Sequence, residues 1–192
     1  MINAGHGCIG RGGNVKPWMF LIAIGALLSA EGCRSQASFQ DPFTRPQIDW
    51  TPTLVLQVDK AQRILGSQAH FEKVTSYLDK GTKAYQSAFR DDSLDPETRK
   101  AGTLYYMCEE YQSADAAKSF LDSTLKANHI NPADGIRMES GAELHYFGRG
   151  DAVRMVVILK ENQLVRLKVN PVTSRYSLVE FRKVAAELAR QL

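Results

Sequence analysis

The chain has 192 residues, of which 44% are hydrophobic and 23% charged, and its formal net charge at neutral pH is +3. This composition is typical of a folded globular protein. Charges of both signs are mixed along the chain, and no concentrated basic region of the kind found in DNA- or RNA-binding proteins occurs. We therefore expect no nucleic-acid partner.

The first predicted element is an apolar run over residues 17–30, which spans 14 residues. A helix of that length reaches about 21 Å, whereas the hydrocarbon core of a bilayer is about 30 Å thick. Arg11 and Lys16 precede the run and small residues follow it, which is the pattern of a secretory signal peptide. The sequence therefore predicts a signal peptide over residues 1–32.

The end of this leader, Leu28-Ser-Ala-Glu-Gly-Cys33, resembles the lipobox of bacterial lipoproteins. The resemblance implies a diacylglyceryl group on the sulfur of Cys33, cleavage before that residue, and a stable lipid anchor in the membrane. Arg34 follows the cysteine in place of the Asp that signals inner-membrane retention in enteric bacteria, which favours the outer membrane. Two alternatives stay open: ordinary secretion after cleavage near Ala30-Glu31-Gly32, and an uncleaved anchor.

Residues 33–52 contain three prolines and little periodicity, which predicts a flexible tether between the lipidated cysteine and the domain. A single domain follows over residues 53–192. Its first helix is expected over 59–66, with Asp59 capping its start and Gly66 ending it. The later elements are predicted as strands over 71–78, 84–90 and 103–111, a helix over 113–128, strands over 143–147, 152–160 and 163–170, and a final helix that opens at 177.

The predicted strands follow one another through short turns, which favours an antiparallel sheet with the helices packed on one face, an α+β fold. The turn Glu161-Asn162 closes the last hairpin, and Asn162 is expected to adopt its positive φ. Ser177 and Glu180 form a predicted reciprocal capping box. In the last hairpin Arg154, Lys160, Arg166 and Lys168 alternate with apolar residues, which predicts a solvent-facing side of the sheet.

Residues that could carry chemistry are few. His70, His129, His145 and Cys108 are scattered, so no metal site and no cofactor are expected. Glu143 and His145 share one face of a strand and could touch a metal, but solvated surface is the preferred interpretation. Cys108 lies mid-strand and is expected to pack in the core, and Gly148-Arg-Gly-Asp151 is expected to be a turn. No nucleophile elbow or phosphate-binding glycine loop occurs, so no catalytic residue is predicted.

The preferred interpretation is a non-enzymatic lipoprotein of the cell envelope, held at the membrane by Cys33 and facing the periplasm or the cell surface. Its domain would bind an envelope protein or a small ligand. The spacing over residues 59–66 and 140–192 is similar to that of uncharacterised envelope lipoprotein domains. An alternative is a soluble exported carrier whose apolar ligand lies in a cavity lined by Tyr105, Met107 and Phe120. A third is an exported hydrolase that uses Cys108 or the pair Glu143 and His145.

Overall fold

The structure is a computed structural model, and it describes residues 45–148 and 153–192. The predicted leader, Cys33 and the first part of the tether lie outside these residues, as do residues 149–151 of the predicted turn. The described helices and strands are α1 Val58–Leu65, β1 His70–Asp79, β2 Thr82–Leu94, β3 Ala101–Glu110, α2 Ala114–Ala127, β4 Ile136–Arg137, β5 Glu143–Phe147, β6 Met155–Lys160, β7 Gln163–Asn170 and α3 Leu178–Gln191. No helix among them is long and apolar enough to span a membrane.

In the described part of the chain the strands form one seven-stranded sheet in the order β1-β2-β3-β7-β6-β5-β4. Every neighbouring pair is antiparallel. Strands β1 to β3 form one meander and β4 to β7 a second, and α2 leads from the first to the second. The two meanders join where β3 pairs with β7. The predicted α+β class with an antiparallel sheet is confirmed.

The sheet is covered on both faces, which we name after the helices packed on them. The α1/α3 face carries Tyr106 and Leu167, and the α2 face carries Met107 and Arg166. The expectation that the helices share one face holds for α1 and α3, whereas α2 packs on the opposite side of β6 and β7. Both of these strands carry apolar residues on both sides, as Val156 and Val157 show, and a sheet apolar on both sides needs two covering layers.

The first helix begins differently from its prediction. Its N-cap is Gln57, which makes no side-chain capping hydrogen bond. Asp59 lies inside the first turn, so it does not cap the helix, and its negative charge is favourable near the positive end of the helix dipole. Gly66 follows the helix with φ 125°, a conformation that glycine adopts readily, so the predicted end is confirmed.

The other two helices begin at serine caps, and the cap at Ser177 was predicted. Ser113 Oγ accepts a hydrogen bond from the Ala116 N–H (3.1 Å), and Ser177 Oγ accepts one from the Glu180 N–H (3.3 Å). The carboxylate of Glu180 binds Arg63 on α1 (2.9 Å). The predicted reciprocal capping box at the start of α3 is therefore only half formed, since Glu180 links α3 to α1 through an ion pair.

The second part of the predicted tether is packed on the domain. The Leu78 N–H donates to the Pro46 carbonyl (2.9 Å), and the Ile48 N–H donates to the Ser76 carbonyl (3.1 Å). Trp50 then packs against the core of the α1/α3 face. The outer edge of β1 offers backbone groups that need partners, and the chain before residue 52 supplies some of them. The described domain therefore starts no later than Arg45, and its predicted start at residue 53 is too late.

The turn between β6 and β7 also differs in detail. The residue with positive φ is Glu161 (52°), whereas Asn162 was predicted to adopt it. The Asn162 side-chain amide donates to the Tyr111 carbonyl (2.9 Å), and the Asn162 carbonyl accepts from the Tyr111 N–H (2.9 Å). Asn162 is thus used to hold the hairpin against the end of β3.

Candidate functional site

The candidate site is a buried polar row on the α2 face. Gln86 on β2 lies directly opposite Met107 on β3, which lies directly opposite Arg166 on β7. Their exposed fractions are 6%, 3% and 8%. Glutamine and arginine are usually exposed, so two of them in one buried row call for a physical explanation.

Arg166 is the centre of this row. Its Nη2 lies 2.8 Å from Glu109 Oε1 and 2.6 Å from Met107 Sδ, and its guanidinium carbon lies 5.6 Å from the centre of the Phe120 ring. A buried charge is tolerated when an opposite charge pairs with it. The planar guanidinium suits both partners, because it can bind a carboxylate in its plane and stack on an aromatic ring.

Two tyrosines border the ion pair. The Tyr111 hydroxyl donates to Glu109 Oε2 (3.4 Å), and burial, with the nearby charge of Glu109, raises the pKa of Tyr111. Burial also raises the pKa of Tyr77, against the opposing charge of Arg45. Both phenols therefore stay protonated near neutral pH. The two hydroxyls and the Arg166 guanidinium can donate hydrogen bonds to polar groups. The positive charge of Arg166 is neutralised by Glu109.

Among residues 45–148 and 153–192, two polar atoms of the row have no hydrogen-bond partner. They are Gln86 Oε1, an acceptor, and Arg166 Nε, a donor, and both are buried. Leaving a buried polar atom unpaired costs about 1–3 kcal/mol. The row therefore has unmet hydrogen-bonding capacity of both kinds.

The three residues predicted to line a cavity lie on the α2 side of the sheet. Met107 is buried, Tyr105 is partly buried one row away on the same strand face, and Phe120 is partly buried on α2. Met107 and Phe120 meet at Arg166. The structure shows surface grooves elsewhere, one of about 380 Å³ along the outer side of α2 and one of about 260 Å³ beside the β6–β7 turn.

Sequence reasoning missed Gln86 and placed Arg166 on a solvent-facing side. That placement is wrong for Arg166, because Phe120 of α2 lies over its guanidinium. Burial also lowers the pKa of Lys168 on the same strand. The sequence did contain a signal that Arg166 is buried. Val157 and Leu164 are apolar and share its face of the sheet, which indicates that this face is covered.

His145 is buried and Glu143 is partly buried, so the interpretation of this pair as solvated surface is wrong. His145 Nε2 lies 2.5 Å from Glu143 Oε1, and the side chains are 0% and 18% exposed. The backbone of Gly135 closes over the imidazole, since a Cβ built there would lie 2.5 Å from His145 Cε1. His145 Nδ1 is also buried and has no hydrogen-bond partner in the part of the chain that the structure describes. In this conformation the imidazole of His145 is closed off from the surface, whereas the Glu143 carboxylate is partly exposed.

Cys108 packs in the core of the α1/α3 face, as the sequence indicated, with an exposed fraction of 1%. Burial raises the pKa of its thiol to about 12. The thiolate is the nucleophilic form of cysteine, so this thiol is almost wholly protonated and unreactive near neutral pH. The neighbouring Tyr106 has its hydroxyl engaged by the Leu54 carbonyl (2.5 Å).

Within residues 45–148 and 153–192, no group of three or more His, Cys, Asp and Glu side chains comes together as a metal site. Cys33, the predicted lipidation residue, lies outside the described residues. Comparison with known proteins gives no match to a family model, to a curated protein or to a solved structure.

Proposed function

We propose that the protein is a lipoprotein of the cell envelope whose domain binds a partner and carries out no catalysis. The observation that carries this proposal is the lipobox-like sequence ending at Cys33, which stands 12 residues before Arg45. Twelve extended residues reach about 40 Å. Since Arg45 already belongs to the domain, a lipid on Cys33 would keep the domain within about that distance of the membrane surface.

The surface of β1 supports a binding role. Phe71, Val74 and Leu78 lie on the α1/α3 side of this edge strand and are 46%, 47% and 39% exposed. Apolar side chains gathered on one surface are typical of protein interaction sites. An envelope protein that covered this stripe would remove the three side chains from water, and we regard this as the favoured kind of partner.

The runner-up function is a carrier of a small apolar ligand. It is favoured by the shared position of Tyr105, Met107 and Phe120 on the α2 side of the sheet. Native mass spectrometry of the purified protein should then show a bound molecule in stoichiometric amount, and the bare mass of the chain would count against a carrier. The hydrolase alternative draws no support from the described residues, because Cys108 and His145 are both buried.

The lipid anchor is tested by growing cells with an alkyne-labelled fatty acid and detecting the label on the purified protein. We expect label on the wild type and none on Cys33→Ser. Cys8→Ser is the matched control, because Cys8 lies in the predicted leader and its loss should leave labelling unchanged. Equal labelling of wild type and Cys33→Ser would refute the anchor. Membrane fractionation of the labelled protein then tests the outer-membrane location.

A further inference from the structure

The outer edge of β1 is open along its first half. The Ile48 N–H donates to the Ser76 carbonyl at this edge (3.1 Å), and the residues before Ile48 run along the edge beyond that point. Over residues 70–75, no backbone group in the described part of the chain pairs with the outer edge. The first five residues of β1 are also exposed. An exposed edge with free N–H and C=O groups is a template for pairing with another strand.

A β-bulge changes the spacing of the backbone groups along this open edge. In an antiparallel strand the N–H and C=O of one residue point the same way, and the direction alternates along the strand. Since Ser76 points outward, Val74 does too. The register pairs Val74 with Ser87 and Phe71 with Phe89, so Phe71 also points outward, and the bulge follows it. The outward-pointing residues Phe71 and Val74 are therefore three residues apart, whereas in a regular strand they would be two apart.

The bulge also makes the pattern of side chains the same when it is read in either direction. Phe71 and Val74 lie on the α1/α3 side of the sheet. Between them, Glu72 and Lys73 both lie on the α2 side, where Glu72 Oε1 is 3.8 Å from Arg90 Nη1. In both directions the edge thus presents an apolar residue, two residues of opposite charge and another apolar residue.

We propose that the domain forms a symmetric dimer in which the open edges of two β1 strands pair antiparallel. With the two-fold axis between Glu72 and Lys73, Phe71 lies opposite Val74 of the second copy, and Glu72 lies opposite Lys73 of the second copy. Residues directly opposite each other on antiparallel strands share one face of the sheet, as these pairs do. The axis also passes through the middle of the open edge, residues 70–75. The dimer rests on the binding role proposed above for β1 and is independent of the lipid anchor.

A second copy is favoured over an unrelated strand. Bulges and lysines at an edge normally prevent pairing with other chains. A regular strand can match the outward groups of Phe71 or of Val74 but not of both, because its own groups are two residues apart. A second copy carries the same bulge and so has the same spacing. It also places a charge of opposite sign against both Glu72 and Lys73, which stabilises the pairing.

The dimer should be weak in solution. A stable complex buries about 800 Å² on each partner, and residues 70–75 supply less than that. We therefore expect a reversible dimer with a dissociation constant between about 10 μM and 1 mM. If the lipid anchor is also correct, confinement of both copies to one membrane surface raises their effective concentration.

Exchange of the two charges tests the pairing. The protein is purified as Cys33→Ser, so that the outcome does not depend on lipidation, and its mass is followed by sedimentation equilibrium up to about 1 mM. Glu72→Lys and Lys73→Glu each place like charges opposite each other and should raise the dissociation constant about tenfold or more. The double exchange restores opposite charges and should restore the dimer. An equimolar mixture of the two single variants should also dimerise, because the lysines of one face the glutamates of the other.

The matched control is Glu139→Lys, the same change of charge at an exposed residue between β4 and β5, at the other end of the sheet. It should leave the dissociation constant unchanged. A protein that stays monomeric at about 1 mM would overturn the dimer, as would single variants that dimerise like the unexchanged protein. The alkyne-label experiment is separate, so a monomeric protein that is labelled at Cys33 would overturn the dimer alone.

Disulfide formation tests the register. In a Cys8→Ser and Cys33→Ser background the remaining cysteine, Cys108, is buried. Under mild oxidation a mixture of Phe71→Cys and Val74→Cys proteins should give a disulfide between the two variants. A mixture of Phe71→Cys and Leu78→Cys is the control, because Leu78 lies beyond the open edge, and it should give little. Faster linkage of Phe71→Cys to Leu78→Cys than to Val74→Cys would overturn this pairing.

Discussion

Asp95 and Ser174 are 79 residues apart in the chain, yet the Ser174 N–H donates to Asp95 Oδ2 at 2.6 Å. The other oxygen, Oδ1, accepts from the N–H groups of Glu97 (3.1 Å) and Thr98 (2.7 Å). Asp95 is 1% exposed. One carboxylate therefore joins the β2–β3 connection to the loop between β7 and α3.

These hydrogen bonds predict an acid-sensitive fold. The N–H groups of Ser174 and then Thr98 favour the charged form and lower the pKa of Asp95 far below its ordinary value. A carboxyl group with a depressed pKa in the folded state stabilises the fold above about pH 4, and that stability is lost as the pH falls further. Asp95→Asn should therefore lower the melting temperature near neutral pH and flatten its decline below about pH 4. Circular dichroism melts across this range measure both effects.

Asp92→Asn is the control, because the Asp92 side chain is 67% exposed. Its melting curve should stay close to that of the wild type at each pH, since exposed substitutions of this kind change stability by about 0.5 kcal/mol or less. An Asp95→Asn protein whose melting temperature declined in acid as steeply as that of the wild type would show that this carboxylate is not responsible.

The contact between Gly135 and His145 predicts that even a methyl group is too large at residue 135. Gly135 has φ −67°, which alanine adopts without strain. Any loss of stability in Gly135→Ala would therefore come from a steric clash and not from backbone strain. A Cβ there would lie 2.5 Å from His145 Cε1 and 2.7 Å from Nε2. Gly135→Ala should lower the free energy of unfolding by about 1–3 kcal/mol, as overpacking does. Urea denaturation measures this change.

The same substitution in a His145→Ala background is the control. Removing the imidazole opens the space that the new methyl group needs, so Gly135→Ala should have a much smaller effect there. The two substitutions would then be strongly non-additive, which is the sign of a direct contact. If the losses in the free energy of unfolding were additive, the Gly135→Ala effect would not arise from contact with His145.

The strands were the most predictable part of the fold. β5 and β7 begin and end at the predicted residues, because alternation of apolar and polar residues is a local property of each segment. The face on which α2 packs is not local. Alternation on β7 separates Arg166 from Val165 and Leu167, but it does not say which side a distant helix covers. For this reason Arg166 and His145 were both assigned to solvent, and both are buried.

The prediction of a flexible tether is wrong for Pro46 to Trp50 for a similar reason. The prolines among residues 46–52 correctly indicate that no helix or long strand forms there. Composition does not show that the edge of β1 lies within reach and offers unpaired backbone groups to Pro46 and Ile48. A segment without regular structure of its own can still be fixed by the edge of a sheet.

The ion pair between Arg166 and Glu109 predicts a large difference between breaking and replacing it. The side chains are 9% and 13% exposed. Arg166→Met alone leaves the Glu109 charge buried without its partner, and the free energy of unfolding should fall by about 3–5 kcal/mol. Arg166→Met combined with Glu109→Leu removes both charges and should recover most of that loss. Urea denaturation of the single and double variants measures the two values.

The matched control is the exposed pair that Lys83 forms with Glu110 at 2.8 Å, where the side chains are 45% and 28% exposed. Lys83→Met should change the free energy of unfolding by only about 0–1 kcal/mol, because water screens the charge that remains. The contrast depends on burial, since both pairs are equally short. A fall of less than about 1 kcal/mol in the free energy of unfolding of Arg166→Met would contradict this prediction. It would mean that water reaches the Glu109 carboxylate and that the α2 face is more open than this packing implies.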